Sequence, residues 1–498
     1  MKLTSEQQAI CASKADVIKV TAYAGTGKTS TLRAFSEVHS KDRILYVAFN
    51  KSIQTEAAGK FPSHVTCKTA HSIAYGAFGH QFGSVPGKLQ GDIKPFHVQR
   101  FLSRSLQAIP QGAHTLYCGR VIETVKAFLV SADSEMLARH VSVGDAPVEI
   151  KHFDPSRILA DAQQVWSLMR DIKTDVPMLH DGYLKLYQLS GRSLPYSIVM
   201  LDEAQDTNPV TQAIVDAQNA RKIYVGDRHQ AIYGFRGATN AMDIIRADES
   251  HYLTGSFRFG EAVAEVANTI LALKDEDVRI RGLGASSRVR PIAASEGYAF
   301  ISRGNVALFN RAVQCLAKGE PFSFVGDIKG YRFDQILDVY NLSVGDQVKD
   351  PFVRSFPGFD ELLEYGESIN DREIKSRCKV VGKYGNDIPR LIGLIEQKAM
   401  PPVLAEDHGA DLGNRIVMTT GHKSKGLEFP NVRLAGDFAE LIDEEGNIFD
   451  ISKASSADVE EINIQYVAVT RAQKNLHLSE QLEEYIDHVN EYGNHAQP

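Results

Sequence analysis

Residues 22–30 are of the types that grip phosphate. Ala22-Tyr23-Ala24-Gly25-Thr26-Gly27-Lys28-Thr29 follows the apolar run Val17-Ile18-Lys19-Val20-Thr21-Ala22 and opens into a helix-like stretch. It fits the pattern G-x-x-x-x-G-K-[ST] except that Ala22 stands where the first glycine would be. The chemistry survives that change. Gly25 and Gly27 let the backbone wrap phosphate oxygens with its N–H groups, and the helix start adds its positive end. Lys28 can reach the β- and γ-phosphates, and the Thr29 hydroxyl can ligate Mg²⁺. Ala24, Gly25, Thr26, Gly27, Lys28, Thr29 and Ser30 thus form a candidate cradle for ATP. A Gly-rich turn serving only as a turn would need neither the preceding strand nor Lys28-Thr29.

A second constellation lies far downstream. Ile198-Val199-Met200-Leu201 runs straight into Asp202-Glu203-Ala204-Gln205-Asp206. An apolar strand ending in paired acids places carboxylates at the carboxyl edge of a sheet, where ligands bind in open α/β folds. There Asp202 would hold Mg²⁺ through water, and Glu203 would orient and deprotonate an attacking water.

These groups need a sheet to bring them together. Short apolar runs at Val17–Ala22, Ile44–Phe49, Ile198–Leu201 and Lys222–Val225 are separated by helical stretches, the pattern of a parallel sheet covered on both faces. Between about 80 and 180 the period changes. Val98, Phe101, Leu102, Leu106 and Ile109 recur at helical spacing, as do Val121, Ile122, Val125, Phe128 and Leu129, then Ile158, Leu159, Ala162, Val165, Trp166 and Met169. A second strand set is predicted at Tyr298–Ile301, Ile416–Thr419 and Val432–Ala435, interrupted at about 346–412 by a polar, helix-like segment. The expected class is α/β with two parallel-sheet lobes, each carrying a mostly helical insertion. The expected partition is 1–79 and 181–255 for lobe one around an insertion at 80–180, then 256–345 and 413–498 for lobe two around an insertion at 346–412.

Composition adds bounds. The 498 residues are 43% hydrophobic and 23% charged, with net charge −7. That is ordinary globular composition, and the length suits two to four domains. An acidic chain that binds nucleic acid must do so through a local surface. No run of eighteen apolar residues and no signal-peptide core is found, so neither a membrane span nor secretion is expected. Five cysteines with no Cys-x-x-Cys pair point to reduced buried thiols rather than zinc or iron–sulfur. The expected location is cytoplasmic, on the nucleoid if the source is bacterial.

Asp202-Glu203-Ala204-Gln205-Asp206 resembles the acidic motif of superfamily 1 helicases of the UvrD/Rep group, and the resemblance continues in order along the chain. Leu3-Thr4-Ser5-Glu6-Gln7 resembles the adenine-reading motif, with Gln7 as reader. The stretch from Val225 through Gly226, Asp227, Arg228, His229, Gln230, Ala231, Ile232, Tyr233, Gly234 and Phe235 to Ala238 resembles the motif coupling ATP to DNA. Gln230 would sense the γ-phosphate; Tyr233 and Phe235 would stack on bases. Leu253-Thr254-Gly255-Ser256-Phe257-Arg258 resembles the motif that sets an aromatic, Phe257, under adenine and an arginine, Arg258, on the γ-phosphate. Thr420-Gly421-His422-Lys423-Ser424-Lys425-Gly426-Leu427-Glu428-Phe429 resembles the next, with Glu428 on ribose and His422 near DNA. Tyr466-Val467-Ala468-Val469-Thr470-Arg471-Ala472 resembles the last, with Arg471 as second γ-phosphate arginine. Within the group, Tyr46–Ile53, Phe61–Thr69 and His180–Leu186 look most like the F-box DNA helicase branch. No F-box is expected before Leu3, so the ubiquitin-ligase side of that branch is not implied. Three departures stand out: Ser30 where many relatives carry arginine, Ala70 before His71 where phenylalanine is usual, and a short second insertion.

The resemblance implies two RecA-like motor lobes of the P-loop NTPase class, with ATP and Mg²⁺ as cofactors. It implies a 3′-to-5′ DNA helicase or single-strand translocase in repair, recombination or replication. Single-stranded DNA and single/double-strand junctions would be the partners, held near Phe49, Asn50, His71, Tyr233, Phe235 and His422. A further protein partner is compatible with this, and a membrane is not expected. The alternative is a partner-controlled, ATP-gated DNA-binding subunit of a larger complex, for example in defence against mobile DNA. The run Arg279-Ile280-Arg281 with Arg288-Val289-Arg290 is read two ways, as a contact to the DNA backbone or as a solvated loop.

Overall fold

Continuous apolar runs become the inner strands of two parallel sheets. The structure, a computed structural model, describes residues 2–141, 153–234, 240–368, 371–404, 412–443 and 445–493. Residues 1–22 and 27–253 form one compact unit; residues 23–26 and 254–498 form a second.

The first unit holds β1 (Val17–Ala22), β2 (Ile44–Ala48), β3 (Val65–Thr69), β4 (Ile198–Leu201), β5 (Arg221–Gly226) and β6 (Glu249–Leu253). Their order is β3-β2-β4-β5-β1-β6, and every pairing is parallel. Strands β2 and β4 are buried at every residue, because helices cover both faces. Side chains alternate: Ile44, Tyr46 and Ala48 join Ile18, Leu32, Phe35 and Met200 on one face. Leu45 and Val47 join Val199, Leu201 and Tyr224 on the other. This register sets Tyr46 opposite Met200 and Val47 opposite Leu201, which brings the loops after β2 and β4 to the same edge.

Between β3 and β4 the chain is helical. The long helices are His114–Val130, Pro155–Arg170 and His180–Leu189. Their periodic faces meet in one core that includes Val121, Val125, Phe128, Ile158, Ala162, Val165, Trp166 and Met169. Two lysines are buried among these helices. The Lys88 Nζ donates to the carbonyls of Leu168 (3.2 Å), Thr174 (3.2 Å) and Val176 (2.6 Å) and to the Thr174 hydroxyl (3.2 Å). The Lys185 Nζ donates to the carbonyls of Ser131 (2.9 Å) and Asp133 and sits over the Phe128 ring.

The second unit opens with two short strands, β7 (Gly255–Ser256) and β8 (Arg281–Gly282), paired with each other. Its main sheet holds β9 (Arg288–Val289), β10 (Tyr298–Ser302), β11 (Phe322–Phe324), β12 (Ile416–Thr420), β13 (Phe429–Leu434) and β14 (Ala472–His477). The order is β11-β12-β10-β13-β14-β9, again all parallel. Helices Asp334–Val344, Phe359–Ser368, Arg372–Tyr384 and Ile388–Lys398 fill most of the interval between β11 and β12. Val339, Leu362, Ile374, Val381 and Ile388 share one core with Tyr298, Phe309, Phe324 and Met418 of the lobe. The insertion is therefore packed onto its sheet rather than built around a core of its own. The α/β class, two RecA-like parallel-sheet lobes, is the one expected.

Candidate nucleotide and nucleic-acid sites

The phosphate loop takes the shape its glycines allow. Gly25 (φ +74°) and Gly27 (φ +81°) are both left-handed, a conformation that costs other residues more. Helix Lys28–Val38 follows at once, and Gly27 offers its first turn no side-chain cap. The first N–H groups are thus left for an anion. The Thr26 hydroxyl donates to the Tyr23 carbonyl at 2.8 Å and ties the loop across its neck. Thr29 is partly buried and Ser30 exposed at the helix start. Within the second unit, the Ala24 N–H donates to the Tyr466 hydroxyl (3.2 Å) and the Gly25 carbonyl accepts from the Phe257 N–H (2.9 Å).

Strand β4 delivers the two acids to this loop. Lys28 Nζ lies 2.7 Å from Glu203 Oε1, with both side chains mostly covered. Burial alone would lower the lysine's pKa, but Glu203, Asp202 and Asp227 outweigh it and hold Lys28 above its ordinary value. Asp202 is buried. Its Oδ1 accepts the Glu203 N–H (2.9 Å) and its Oδ2 accepts the Tyr46 hydroxyl (2.5 Å). Burial, then the Glu203 carboxylate, push the Asp202 pKa up, against the pull of Lys28 and Tyr46. Two adjoining carboxylates with a single lysine beside them fit a divalent cation, which would offset that repulsion. Thr29 and Asp202 are the residues that would hold it.

Glu203 itself is unusual. Its φ is +50° and ψ 45°, a left-handed position for a non-glycine residue. That twist turns the chain off β4 into the short 3₁₀ turn Ala204–Asp206. Gln205 then becomes a hub. Its Nε2 donates to Glu203 Oε2 (2.6 Å) and Asp206 Oδ2 (3.1 Å), and its Oε1 accepts the Asp227 N–H (3.0 Å). Asp227 caps the next turn: Oδ1 accepts the His229 N–H (3.0 Å) and Oδ2 accepts Gln230 Nε2 (2.7 Å). Gln230 is therefore buried and joined to Glu203 through two intervening side chains.

Gln7 is also anchored. It completes a capping box with Thr4 on helix Ser5–Ala12, and its Nε2 donates to Thr31 Oγ1 (3.1 Å) on the helix of the phosphate loop. This holds the amide beside that loop, with one N–H and one lone pair still to offer.

In the second unit Arg258 pairs with Glu428, and Arg471 is held by backbone carbonyls and Thr470. Arg258 Nε donates to Glu428 Oε2 (2.8 Å) and its Nη1 to the Thr470 carbonyl (3.1 Å). Gln473 Nε2 donates to the other Glu428 oxygen (2.9 Å). Arg471 is 1% exposed. It donates from Nε to the Val467 carbonyl (2.8 Å), from Nη1 to the Leu427 carbonyl (3.1 Å) and from Nη2 to Thr470 Oγ1 (3.0 Å). Phe257, next to Arg258, is 37% exposed.

Of the residues expected near DNA, four sit on the first unit, past the carboxyl ends of its strands. Phe49 and Tyr233 stack with ring centroids 5.8 Å apart and planes 13° apart. Asn50 caps helix Lys51–Lys60 through the Ile53 N–H (2.9 Å). His71 pairs with Asp181 (3.1 Å) and meets the Tyr183 ring edge-on. His422, in the second unit, lies 3.8 Å from Glu460. Phe235 falls outside the described residues. Ala70 leaves no ring at its position, and the next aromatic, Tyr75, is 41% exposed on a π-helical turn, Tyr75–Gly79.

The arginine run looks different once folded. Its sequence has no acid between the arginines, yet Arg279 pairs with Glu265 and Arg290 with Glu296, both at 2.5 Å. Acids outside the run thus neutralise part of its charge, which favours the solvated reading. Sequence reasoning also missed Tyr46, Gln205 and Asp227. A tyrosine in an apolar strand reads as core, and Gln205 and Asp227 carry no sequence signal beyond their place in the two motifs.

Comparisons with known proteins bear on the same regions. Residues 6–236 match the AAA domain family, and residues 358–483 match the UvrD-like helicase C-terminal domain. No described helix is long and apolar enough to cross a membrane. F-box DNA helicase 1 of Gallus gallus is 32% identical, over 98% of this chain and 50% of its own length. F-box DNA helicase protein 1 of Schizosaccharomyces pombe is 31% identical, over 96% of this chain and 57% of its own. The putative ATP-dependent DNA helicase YjcD of Bacillus subtilis is 29% identical over 31% of the chain and 21% of that protein. The chain spans about half the length of the two F-box relatives. With the phosphate loop and its acids inside the first matched region, and Glu428 and Arg471 inside the second, this chain belongs to the UvrD-like superfamily 1 helicases.

Proposed function

We propose that this chain is an ATP-dependent DNA helicase or single-strand translocase that travels 3′ to 5′ and acts in DNA repair, recombination or replication. The observation that carries the reading is the Lys28–Glu203 pair, 2.7 Å apart at the mouth of the phosphate loop. It sets a γ-phosphate ligand beside a carboxylate that can take a proton from water. ATP is the proposed fuel. Mg²⁺, held by Thr29 and Asp202, would neutralise charge on the phosphates. Lys28, Glu203 and Gln230 are the proposed catalytic residues, with Arg258 and Arg471 as γ-phosphate arginines once their present partners are exchanged for phosphate oxygens. An arginine in that role contributes a rate factor on the order of 10³. Gln7 and Phe257 would hold adenine and Glu428 ribose, with insertions at 80–180 and 346–412 flanking the two lobes.

DNA would run over Phe49, Asn50, His71, Tyr233 and His422. The Phe49–Tyr233 stack, with Phe49 exposed and Tyr233 half-buried, supports this, since base stacking is worth roughly 1–3 kcal/mol per base and tolerates any sequence. The substrate class proposed is single-stranded DNA and its junctions with duplex. The test is ATP turnover with and without single-stranded DNA and RNA, then unwinding of duplexes with a 3′ or a 5′ tail. DNA-stimulated turnover and opening of 3′-tailed duplex are expected. Turnover that needs an added protein would instead support the partner-controlled subunit, and opening of 5′-tailed duplex alone would overturn the polarity.

A further inference from the structure

We infer that Gln205 is a positioning residue that transmits single-strand engagement to the hydrolytic carboxylate; this rests on the proposed motor function. The hydrogen bonds form a continuous path inside the first unit, with side branches to Asp206, His229 and Lys28. Glu203 Oε2 accepts from Gln205 Nε2 (2.6 Å), Gln205 Oε1 accepts the Asp227 N–H (3.0 Å), and Asp227 Oδ2 accepts Gln230 Nε2 (2.7 Å). Three residues past Gln230 the chain reaches Tyr233, stacked on Phe49 at the surface. The path therefore begins at a stacked aromatic pair whose outer ring, Phe49, is exposed to bases, and ends on the carboxylate beside Lys28.

Three features make Gln205 a coupler rather than filler. First, its amide has only one workable orientation. The Nε2 faces the carboxylates of Glu203 and Asp206, and the Oε1 faces a backbone N–H, so a flipped amide would oppose like groups at every contact. Second, Gln205 is 0% exposed, so no water competes for these bonds and a shift at one end must be passed on. Third, Gly226 leaves it no slack. A Cβ there would lie 2.5 Å from Gln205 Oε1 and 3.1 Å from its backbone nitrogen. β5 is thus kept bare of a side chain where Gln205 crosses it. When a base displaces or presses on the Phe49–Tyr233 pair, the turn Arg228–Gln230 moves with its Asp227 cap. Gln205 carries that movement to Glu203.

The relay is tested on the full chain by ATP turnover with and without oligo-dT. The variants are Gln205→Glu, Gly226→Ala, Tyr233→Ala and the double variant Tyr233→Ala/Gln205→Glu. Gln205→Glu replaces the donor by an oxygen facing two carboxylates; Gly226→Ala pushes on the same amide while leaving Gln205 in place. The ratio of DNA-stimulated to DNA-free turnover should fall on the order of ten- to a hundred-fold in each, as for a catalytic group displaced by about 1 Å. KM for ATP and the affinity for fluorescent oligo-dT should stay within about twofold in the Gln205 and Gly226 variants, the mark of coupling lost without binding lost. The double variant should stimulate no worse than the poorer single, because both act on one path. Equal falls in stimulated and DNA-free turnover would mean that Gln205 merely supports Glu203, and would overturn the relay. Retained stimulation would overturn it also. Gly226→Ala decides the matter if Gln205→Glu does not fold, with melting curves as the check. A parent chain indifferent to DNA overturns the motor reading itself; a stimulated parent with indifferent variants overturns the relay alone.

Discussion

The hydroxyl of Tyr46 donates to Asp202 Oδ2 at 2.5 Å, joining the core strand β2 to the acidic end of β4. Both side chains are buried, and one oxygen of the proposed cation-holding carboxylate is thereby fixed in direction. Tyr46→Phe should keep the fold while removing that bond. A hydrogen bond to a charged group contributes about 1.5–3 kcal/mol, so the melting temperature should fall, and the Mg²⁺ concentration for half-maximal ATP turnover should rise severalfold. A Mg²⁺ titration beside a melting curve measures both; a variant unchanged in both would show that the tyrosine only fills space.

Lys28 and Glu203 make separable predictions. Lys28→Ala removes the cation that meets Glu203 at 2.7 Å and should abolish turnover. Glu203→Gln should still bind ATP, measured by a fluorescent analogue, but hydrolyse it slower by a factor on the order of 10² or more. Persistent DNA-stimulated turnover in Lys28→Ala would refute the phosphate-loop assignment. Normal turnover in Glu203→Gln would remove it as the base.

The buried lysines of the helical insertion predict an alkaline signature. Burial lowers the pKa of Lys88 and of Lys185 to about 8, only partly opposed by Asp171 and Asp133 respectively. The unfolded chain keeps these protons up to the ordinary lysine value near 10.5. Between those limits the unfolded state binds more protons, so this contribution to stability rises with pH. Lys88→Met should flatten part of that rise. It should also cost about 3 kcal/mol, because the carbonyls of Leu168, Thr174 and Val176 lose their donor. Denaturant melts of both proteins across this window check the sign; a parallel pH dependence would refute it.

Gln465 predicts a gain. It is 0% exposed on helix Ser456–Val469, and both its Oε1 and Nε2 lack a hydrogen-bond partner among the described residues. A buried unpaired amide costs about 1–3 kcal/mol. Gln465→Leu should therefore raise the melting temperature by roughly 2–4 °C per kcal/mol recovered. A lower melting temperature would show that the amide has a partner the fold requires.

What could be read in advance follows burial. β1 and β4 occupy the stretches predicted, and β2 ends one residue early, at Ala48. These strands lie inside their sheet, where cover on both faces demands an unbroken apolar run. The strands not predicted lie at or near the rims. β3 and β6 are the two edges of the first sheet, and β11, β14 and β9 cluster at the ends of the second. β6 reads Glu249-Ser250-His251-Tyr252-Leu253, with only its last residue buried, so no apolar pattern marks it. The residues proposed to face ATP could be named from the sequence because phosphate chemistry restricts residue type and spacing locally. The bonds of Tyr46 and Gln205 were not, because their partners are set by β-register and turn geometry rather than by neighbours in sequence.

The left-handed backbone at Glu203 has an evolutionary consequence. A carboxylate held there strains its own main chain, and glycine would relieve that strain. Lineages in which turnover no longer mattered would drift toward a sturdier but inert protein at this codon. A glutamate kept at position 203 in related genomes would therefore mark chains whose hydrolysis is still under selection.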